Sequence, residues 1–209
     1  MKTEKNIPDG IYYIVFADLV GSTKFGIDFG NAALEARIQR FIHSAELALT
    51  NAKMCNNSGR FIKRIGDGAL LVFNHFPDVL QWQMEFDGAL GLAEIRGIRI
   101  EPRICVHAGE IRFELREPTS VALNQIFKAE KQIPEGSLIL TNTAYELARH
   151  STYSIQITFE PCEKIALPGY DDLMKLHRVV IKADMAFLID KTHRGRVLES
   201  RGVGAVESE

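Results

Sequence analysis

Two aspartates occupy positions from which their carboxylates could share a metal ion. Asp18 directly follows the apolar and aromatic run IYYIVFA at 11–17, and Asp67 lies in the turn sequence Gly66-Asp67-Gly68. Each also has an ordinary structural interpretation, because aspartate often caps a helix and Asp-Gly often forms a tight turn. Placed side by side, however, two carboxylates repel each other unless a cation lies between them. The pair therefore predicts a site for Mg²⁺ or Mn²⁺, which oxygen ligands favour.

The segment after Asp18 has the composition of a phosphate-binding loop. It leads from a strand into a helix, where backbone N–H groups can bind phosphate oxygens. The residues concerned are Leu19, Val20, Gly21, Ser22 and Thr23. Metal ions beside such a loop indicate phosphoryl chemistry, in which two ions about 4 Å apart hold the attacking and leaving oxygens.

Apolar periodicity predicts the elements that would position these residues. Strands are predicted at 11–17, 60–65, 69–73, 98–107 and 111–115, and helices at 31–52 and from Pro77 towards Ile95. The last two strands are separated at Ala108-Gly109. The resulting β-α-β-β-α-β order predicts an α+β fold with a ferredoxin-like βαββαβ core, in which helices cover one face of a mixed sheet.

A C-terminal extension of strands and helices is predicted beyond this core. Helices are predicted near 120–131 and 143–149, and strands at 138–141, 154–159 and 173–181. The domain expectation is a flexible N-terminus at 1–10, one catalytic domain at 11–182 and a partly disordered tail at 183–209. The tail prediction rests on its charged, glycine-containing composition with little apolar content.

Composition and charge exclude several classes of protein. The 209 residues are 46% hydrophobic and 25% charged, a balance typical of one soluble globular domain. A formal net charge of -2 gives no bulk attraction to nucleic acid or to an anionic membrane. Three cysteines without CxxC spacing indicate neither a disulfide framework nor a zinc site. With no apolar run long enough to span a membrane, we expect a cytoplasmic protein.

Three segments resemble successive signatures of the class III nucleotidyl cyclases. They are VFADLVGSTKF at 15–25, FIKRIGDGALLVF at 61–73 and RICVHAGEI at 103–111. The resemblance continues through ALNQIFKAEKQIPEGSLILT and ends with LPGYDDLMKLHRVV, so it covers roughly Tyr12 to Val180. Each motif alone is weak, whereas five in the same order make a specific pattern. The resemblance implies the cyclase fold and conversion of a nucleoside triphosphate to a cyclic nucleotide.

The resemblance also implies roles for individual residues. Asp18 and Asp67, with the backbone carbonyl of Leu19, match the metal ligands for two Mg²⁺ or Mn²⁺ ions. Lys63 and Glu117 match the positions that contact the base, and Asn124 matches the asparagine that orients the ribose. Lys128 stands where the family has its transition-state arginine, and lysine lacks the planar fork of a guanidinium. Because such sites combine residues of two subunits, a homodimer is implied.

Several alternatives remain open at this point. Lys63 with Glu117 could contact adenine, as in adenylate cyclases. We favour a second interpretation, since a short cyclase with an altered site resembles the bacterial pyrimidine cyclases of anti-phage defence (Pycsar systems), which make cyclic CMP or cyclic UMP. The longer glutamate would suit their smaller bases. A non-catalytic nucleotide-binding homologue and an unrelated ferredoxin-like interaction module are the other two interpretations. His107, which has no second ligand at metal spacing, is expected to be structural.

Overall fold

The computed structural model describes residues 7–91, 93–114, 117–151 and 156–181, without the side chain of Glu114. The predicted tail at 183–209 and most of the predicted flexible N-terminus therefore lie outside the described residues. In the described part, no helix is both long and apolar enough to cross a membrane.

The chain forms a mixed sheet with helices on both faces. The strands are β1 (Gly10–Leu19), β2 (Arg60–Ile65), β3 (Gly68–Phe73), β4 (Glu94–Ile95), β5 (Ile98–Arg99), β6 (Pro102–Glu114), β7 (Glu117–Thr119), β8 (Leu138–Thr141), β9 (Ile157–Pro161), β10 (Ile165–Ala166), β11 (Leu173–Met174) and β12 (Leu176–Ile181). The helices are α1 (Ser22–Phe29), α2 (Asn31–Lys53), α3 (Phe76–Leu90), α4 (Val121–Glu130) and α5 (Asn142–Ala148).

The strand order confirms the predicted α+β fold. Strands follow one another across the sheet as β2-β3-β1-β6-β8-β12-β9, and β7 pairs with β6. The first four are antiparallel neighbours in the arrangement of a ferredoxin-like core, whereas β8 is parallel to β6. Alternate residues of β1 point to opposite faces, so Val15 packs with α2 and α3 while Ile14 and Phe16 pack with α4.

Several boundaries differ from the sequence-based expectation. The predicted strand at 98–107 is divided between β5 and β6, and the one at 173–181 between β11 and β12. Two further differences have a clear local cause. Helix α3 ends at Leu90 rather than near Ile95, because Gly91 takes a φ of 49° and the chain turns into the small β4–β5 hairpin. The predicted break at Ala108-Gly109 is wrong, since β6 is continuous through both residues. Gly109 is needed for another reason: a Cβ there would lie 2.7 Å from Cβ of Ala122 in α4. The glycine therefore permits a close crossing of helix over strand.

Candidate functional site

The end of β1 and the β2–β3 turn lie beside each other. Strand β1 pairs with β3 through Ala17 and Ala69, which brings Asp67 in the turn close to Asp18. Gly68 permits this approach, since a Cβ there would lie 2.5 Å from the Phe16 ring and 3.0 Å from the Ala17 carbonyl oxygen. The predicted juxtaposition of the two aspartates thus follows from the sheet register.

Asp18 lies in an environment that disfavours an isolated negative charge. Burial raises the pKa of Asp18 to about 8, and the negative charges of Glu130 and Asp67 act in the same direction, while Arg103 opposes them. The side chain of Asp18 is 17% exposed, so solvent screens the repulsion only weakly. A cation bound among these carboxylates would offset their mutual repulsion and stabilise the ionised form of Asp18.

The donor set fits a divalent ion that also takes ligands from elsewhere. In the described part of the chain, no group of three or more His, Cys, Asp or Glu side chains is arranged to hold a metal. Asp18 and Asp67 would therefore supply only part of a coordination sphere. Mg²⁺ commonly binds through one or two carboxylates together with water and substrate phosphates.

Arg103 and Glu130 are two members of this cluster that sequence reasoning missed. Arg103 stands opposite Asp18 in the strand register, and its Nη1 lies 3.9 Å from Oδ2 of Asp18 and 3.0 Å from Oε1 of Glu130. Its Nη2 lies 3.6 Å from Oε1 of Glu135. The Nε of Arg103 is buried and has no hydrogen-bond partner among the described residues. Glu130 itself is only 5% exposed, an unusual position for a carboxylate.

The predicted phosphate loop forms the start of α1. Gly21 adopts a φ of 71°, and no side chain among the described residues caps the helix. The first N–H groups of α1, those of Ser22 and Thr23, therefore remain available to an anion. Val20 differs from the expectation, because its N–H already donates to the Glu101 carbonyl at 3.0 Å. Leu19 has a buried side chain, so only its backbone could contribute to the site.

The two predicted base-contacting residues meet although 54 positions separate them. The ammonium of Lys63 in β2 forms an ion pair with the carboxylate of Glu117 at the start of β7. The two side chains are 40% and 66% exposed, respectively. Strand β7 folds back antiparallel onto β6, with Glu117 opposite Glu114 in the register. This pairing brings the carboxylate of Glu117 to Lys63.

Asn124 and Lys128 lie one turn apart on α4. The hydroxyl of Ser120 accepts a hydrogen bond from the Ala122 N–H at 2.9 Å and donates to the Glu110 carbonyl at 2.5 Å, which fixes the start of the helix against β6. Asn124 is exposed, whereas Lys128 is half-buried and donates to the Pro168 carbonyl.

His107 is a structural residue, as expected. It is 4% exposed, and its Nδ1 lies 2.8 Å from the hydroxyl oxygen of Thr141. Burial lowers the pKa of His107 to about 4, with a hydrogen bond to Gln125 opposing the shift, so the ring is neutral near pH 7. It takes no part in the Asp18 cluster.

Comparison with known sequences gives a limited result. No family model matches the chain. A serine/threonine-protein kinase, pkn2 of Myxococcus xanthus, is 28% identical over 129 residues, which represent 58% of this chain. The chain spans 15% of that relative's length.

Comparison with solved structures is informative about the fold. Adenylate cyclases of Trypanosoma brucei in their monomeric state match with a TM-score of 0.66 and 14% identity, over 84% of this chain and 90% of theirs. The guanylate cyclase domain of RhGC from Catenaria anguillulae, in complex with GTP, has a TM-score of 0.65 and 13% identity, over 82% and 97%. A non-canonical dimeric guanylyl cyclase domain from Blastocladiella emersonii has a TM-score of 0.66 and 12% identity, over 84% and 100%. The chain therefore has the fold of adenylate and guanylate cyclase catalytic domains.

Proposed function

We propose that this chain is a class III nucleotidyl cyclase, which converts a nucleoside triphosphate to a 3′,5′-cyclic nucleotide and pyrophosphate. The observation that carries the proposal is the cluster of Asp18, Asp67 and Arg103 at one end of the sheet. This end of the fold combines carboxylates that favour a cation with an arginine that has a buried unpartnered donor. An interaction module that binds neither metal nor nucleotide would leave that arrangement unexplained.

Asp18 and Asp67 would hold the metal, with two ions per site. Bound Mg²⁺ or Mn²⁺ would supply the charge that lowers the pKa of the ribose 3′-hydroxyl and stabilises the leaving pyrophosphate. Arg103 would place positive charge beside the triphosphate. The N–H groups of Ser22 and Thr23 would bind further phosphate oxygens at the start of α1.

The residues on α4 would act on the reacting atoms. The ribose 3′-oxygen bonds to the α-phosphorus, the bond from that phosphorus to the pyrophosphate oxygen breaks, and the hydroxyl proton passes to solvent. Asn124 would orient the ribose, while the ammonium of Lys128 would stabilise negative charge on the α-phosphoryl group. Such catalysis consists chiefly of positioning and electrostatic stabilisation.

The geometry of α4 supports a homodimer with shared sites. Glu130 faces the Arg103 and Asp18 cluster of its own chain. Lys128 precedes it by two residues, which is about 200° around a helix of 3.6 residues per turn. Lys128 and Asn124 therefore point away from their own metal-binding half, and we infer that they complete the site of a second copy.

The Lys63–Glu117 pair supports a base that carries an amino group beside a ring nitrogen. An ammonium can donate to that nitrogen, and a carboxylate can accept from the amino group. Adenine and cytosine share this pattern, whereas uracil has the opposite one. Because glutamate is one methylene longer than the aspartate usual at this position in adenylate cyclases, it would narrow the base site, and we propose a preference for the smaller cytosine. The pyrimidine preference, and the anti-phage role that it would imply, rest on Glu117 alone.

The test is a product assay with the purified full chain. The protein is incubated separately with ATP, GTP, CTP and UTP in the presence of Mn²⁺, and products are identified by mass. We expect a cyclic nucleotide from CTP, and a weaker yield from ATP. Absence of any cyclic product from a confirmed dimer would refute the proposal and favour a non-catalytic nucleotide-binding homologue. A preference for ATP would overturn only the pyrimidine assignment.

A further inference from the structure

A tight turn after β10 lies against the C-terminal half of α4. The N–H of Tyr170 donates to the Leu167 carbonyl at 3.0 Å and closes a four-residue turn. Pro168 occupies its second position, and Gly169 adopts a φ of 81° at the third, as a type II turn requires. Leu167 is 3% exposed and anchors the turn in the core below α4. The turn is thus stabilised both by its Pro-Gly sequence and by the packing of Leu167.

The ammonium of Lys128 rests on this turn. Its Nζ donates to the Pro168 carbonyl at 2.5 Å and lies 5.1 Å from the centroid of the Tyr170 ring. Gly169 lies between the two, and a Cβ there would make an ordinary contact of 3.5 Å with Nζ, so it is the positive φ that favours glycine. Just beyond the C-terminus of α4, Gln132 donates to the carbonyl of Ala166 in β10 at 2.9 Å. The C-terminal end of α4 and the segment 166–170 are therefore joined at two points.

We propose that the turn at 167–170 is a cradle that positions the Lys128 ammonium for the reaction, with Tyr170 as a positioning residue. This inference rests on the proposed function. Lysine has a flexible stem with four carbons, and holding its ammonium in place removes rotamer freedom before the substrate arrives. The ammonium carries three donors, of which Pro168 occupies one, so two remain for phosphoryl oxygens.

The cradle also accounts for lysine where related cyclases have arginine. A single carbonyl beside an aromatic face suits a compact point charge. A guanidinium is planar, so a bond to Pro168 and a stack on Tyr170 would fix the directions of its remaining donors, whereas an ammonium can rotate its two remaining donors towards the substrate. Lys128 and the turn would thus form one functional unit, and neither is expected to work well without the other.

The first experiment compares two substitutions of the same size class at Tyr170. Tyr170→Phe keeps the aromatic face, whereas Tyr170→Leu keeps apolar packing but removes the face. We expect Tyr170→Leu to lower kcat about tenfold with KM within about twofold of wild type, and Tyr170→Phe to stay within about twofold in both. Equal kcat values for the two variants would overturn the inference, as would a loss confined to KM.

The second experiment tests the partnership with Lys128. We expect Lys128→Arg to lower kcat about tenfold, and the Lys128→Arg, Tyr170→Leu double variant to be no slower than Lys128→Arg alone. Multiplicative losses in the double variant would show that Tyr170 acts independently of Lys128, and would contradict the cradle.

A spectroscopic measurement separates this inference from the proposed function. The protein is labelled at the lysine ε-carbon for NMR, and the Lys128 signal is assigned by its absence in Lys128→Arg. The protons on that carbon should show a ring-current shift from Tyr170. The shift should persist in Tyr170→Phe and disappear in Tyr170→Leu. An active wild type without that shift would overturn the cradle alone. The shift without any cyclic product would overturn the proposed function, and with it the catalytic role of Tyr170.

Discussion

The metal-binding half and the base-contacting half of the candidate site are built differently. Asp18 and Arg103 are mostly buried, with side chains 17% and 19% exposed, and they belong to adjacent central strands. Lys63 and Glu117 lie at the periphery, where they are 40% and 66% exposed and pair with each other. The first half has an excess of carboxylate charge that a cation would satisfy, whereas the second half is already neutralised. In the proposed site, metal binding would thus depend on the sheet, and base selection would depend on a solvent-exposed contact that can change at little cost to the fold.

The largest effect is expected from the metal-binding half. Asp67→Asn should lower the rate of cyclic nucleotide formation by about 100-fold or more, because removing one group that stabilises transition-state charge commonly costs that much. The measurement is product yield by mass at fixed Mn²⁺ concentration. Asp28→Asn is the matched control, since Asp28 forms an ion pair with Lys24 on the surface of α1, and it should retain wild-type activity. Full activity of Asp67→Asn would refute the metal assignment.

Mixing two inactive variants tests whether both halves come from one chain. Asp67→Asn lacks the metal-binding half, and Lys128→Met lacks the α4 half. Equimolar mixing should restore about a quarter of wild-type activity, because half of the dimers are mixed and each has one intact site. Asp67→Asn mixed with Asp18→Asn is the control and should remain inactive. No recovery in the first mixture, with subunit exchange confirmed, would mean that each site belongs to a single chain.

A smaller effect is expected from the exposed half. Glu117→Gln should change the ratio of kcat/KM between CTP and UTP about tenfold in favour of UTP, because an amide can donate where a carboxylate only accepts. The ratio is measured by competition between the two substrates in one reaction. Glu110→Gln, which removes an exposed carboxylate paired with Arg112, should leave the ratio unchanged. A uniform loss for all substrates would assign Glu117 to stability instead of base contact.

The smallest effect concerns stability without metal. Burial and neighbouring carboxylates raise the pKa of Asp18 from its ordinary 3.8 to about 8, so the folded state favours the protonated form. Stability from this group is complete below about pH 4 and is lost as pH rises towards 8. In EDTA, Tm should fall on the order of 5 °C between pH 5 and 8 through this group. Excess Mn²⁺ should remove the decline, and Asp67→Asn should reduce it. An unchanged slope in Mn²⁺ would contradict metal binding at Asp18.

The same contrast explains what the sequence could predict. Strand β1, helix α2 and the β2–β3 hairpin were predicted because their apolar patterns are local and long. Gly109 was misinterpreted as a break, since its reason is contact with Ala122 in a helix that follows later in the chain. Arg103 and Glu130 were missed because cross-strand register and helix packing bring them to Asp18, and neither is visible in local sequence. That Lys63 and Glu117 lie in one site was expected only through the family resemblance, and their contact with each other was not predicted.

Helix α4 has a further consequence in the proposed dimer. Its inward side, through Glu130, helps set the charge around Asp18, while its outward side carries Lys128 to the neighbouring copy. Helix α4 would thus contribute to two active sites, one on each of its sides. A small rotation of α4 that improved one site would disturb the other. Substitutions on one side of the helix are therefore expected to require compensating substitutions on the other side. Variation during evolution should therefore accumulate at Glu117 and Lys63 more readily than along α4.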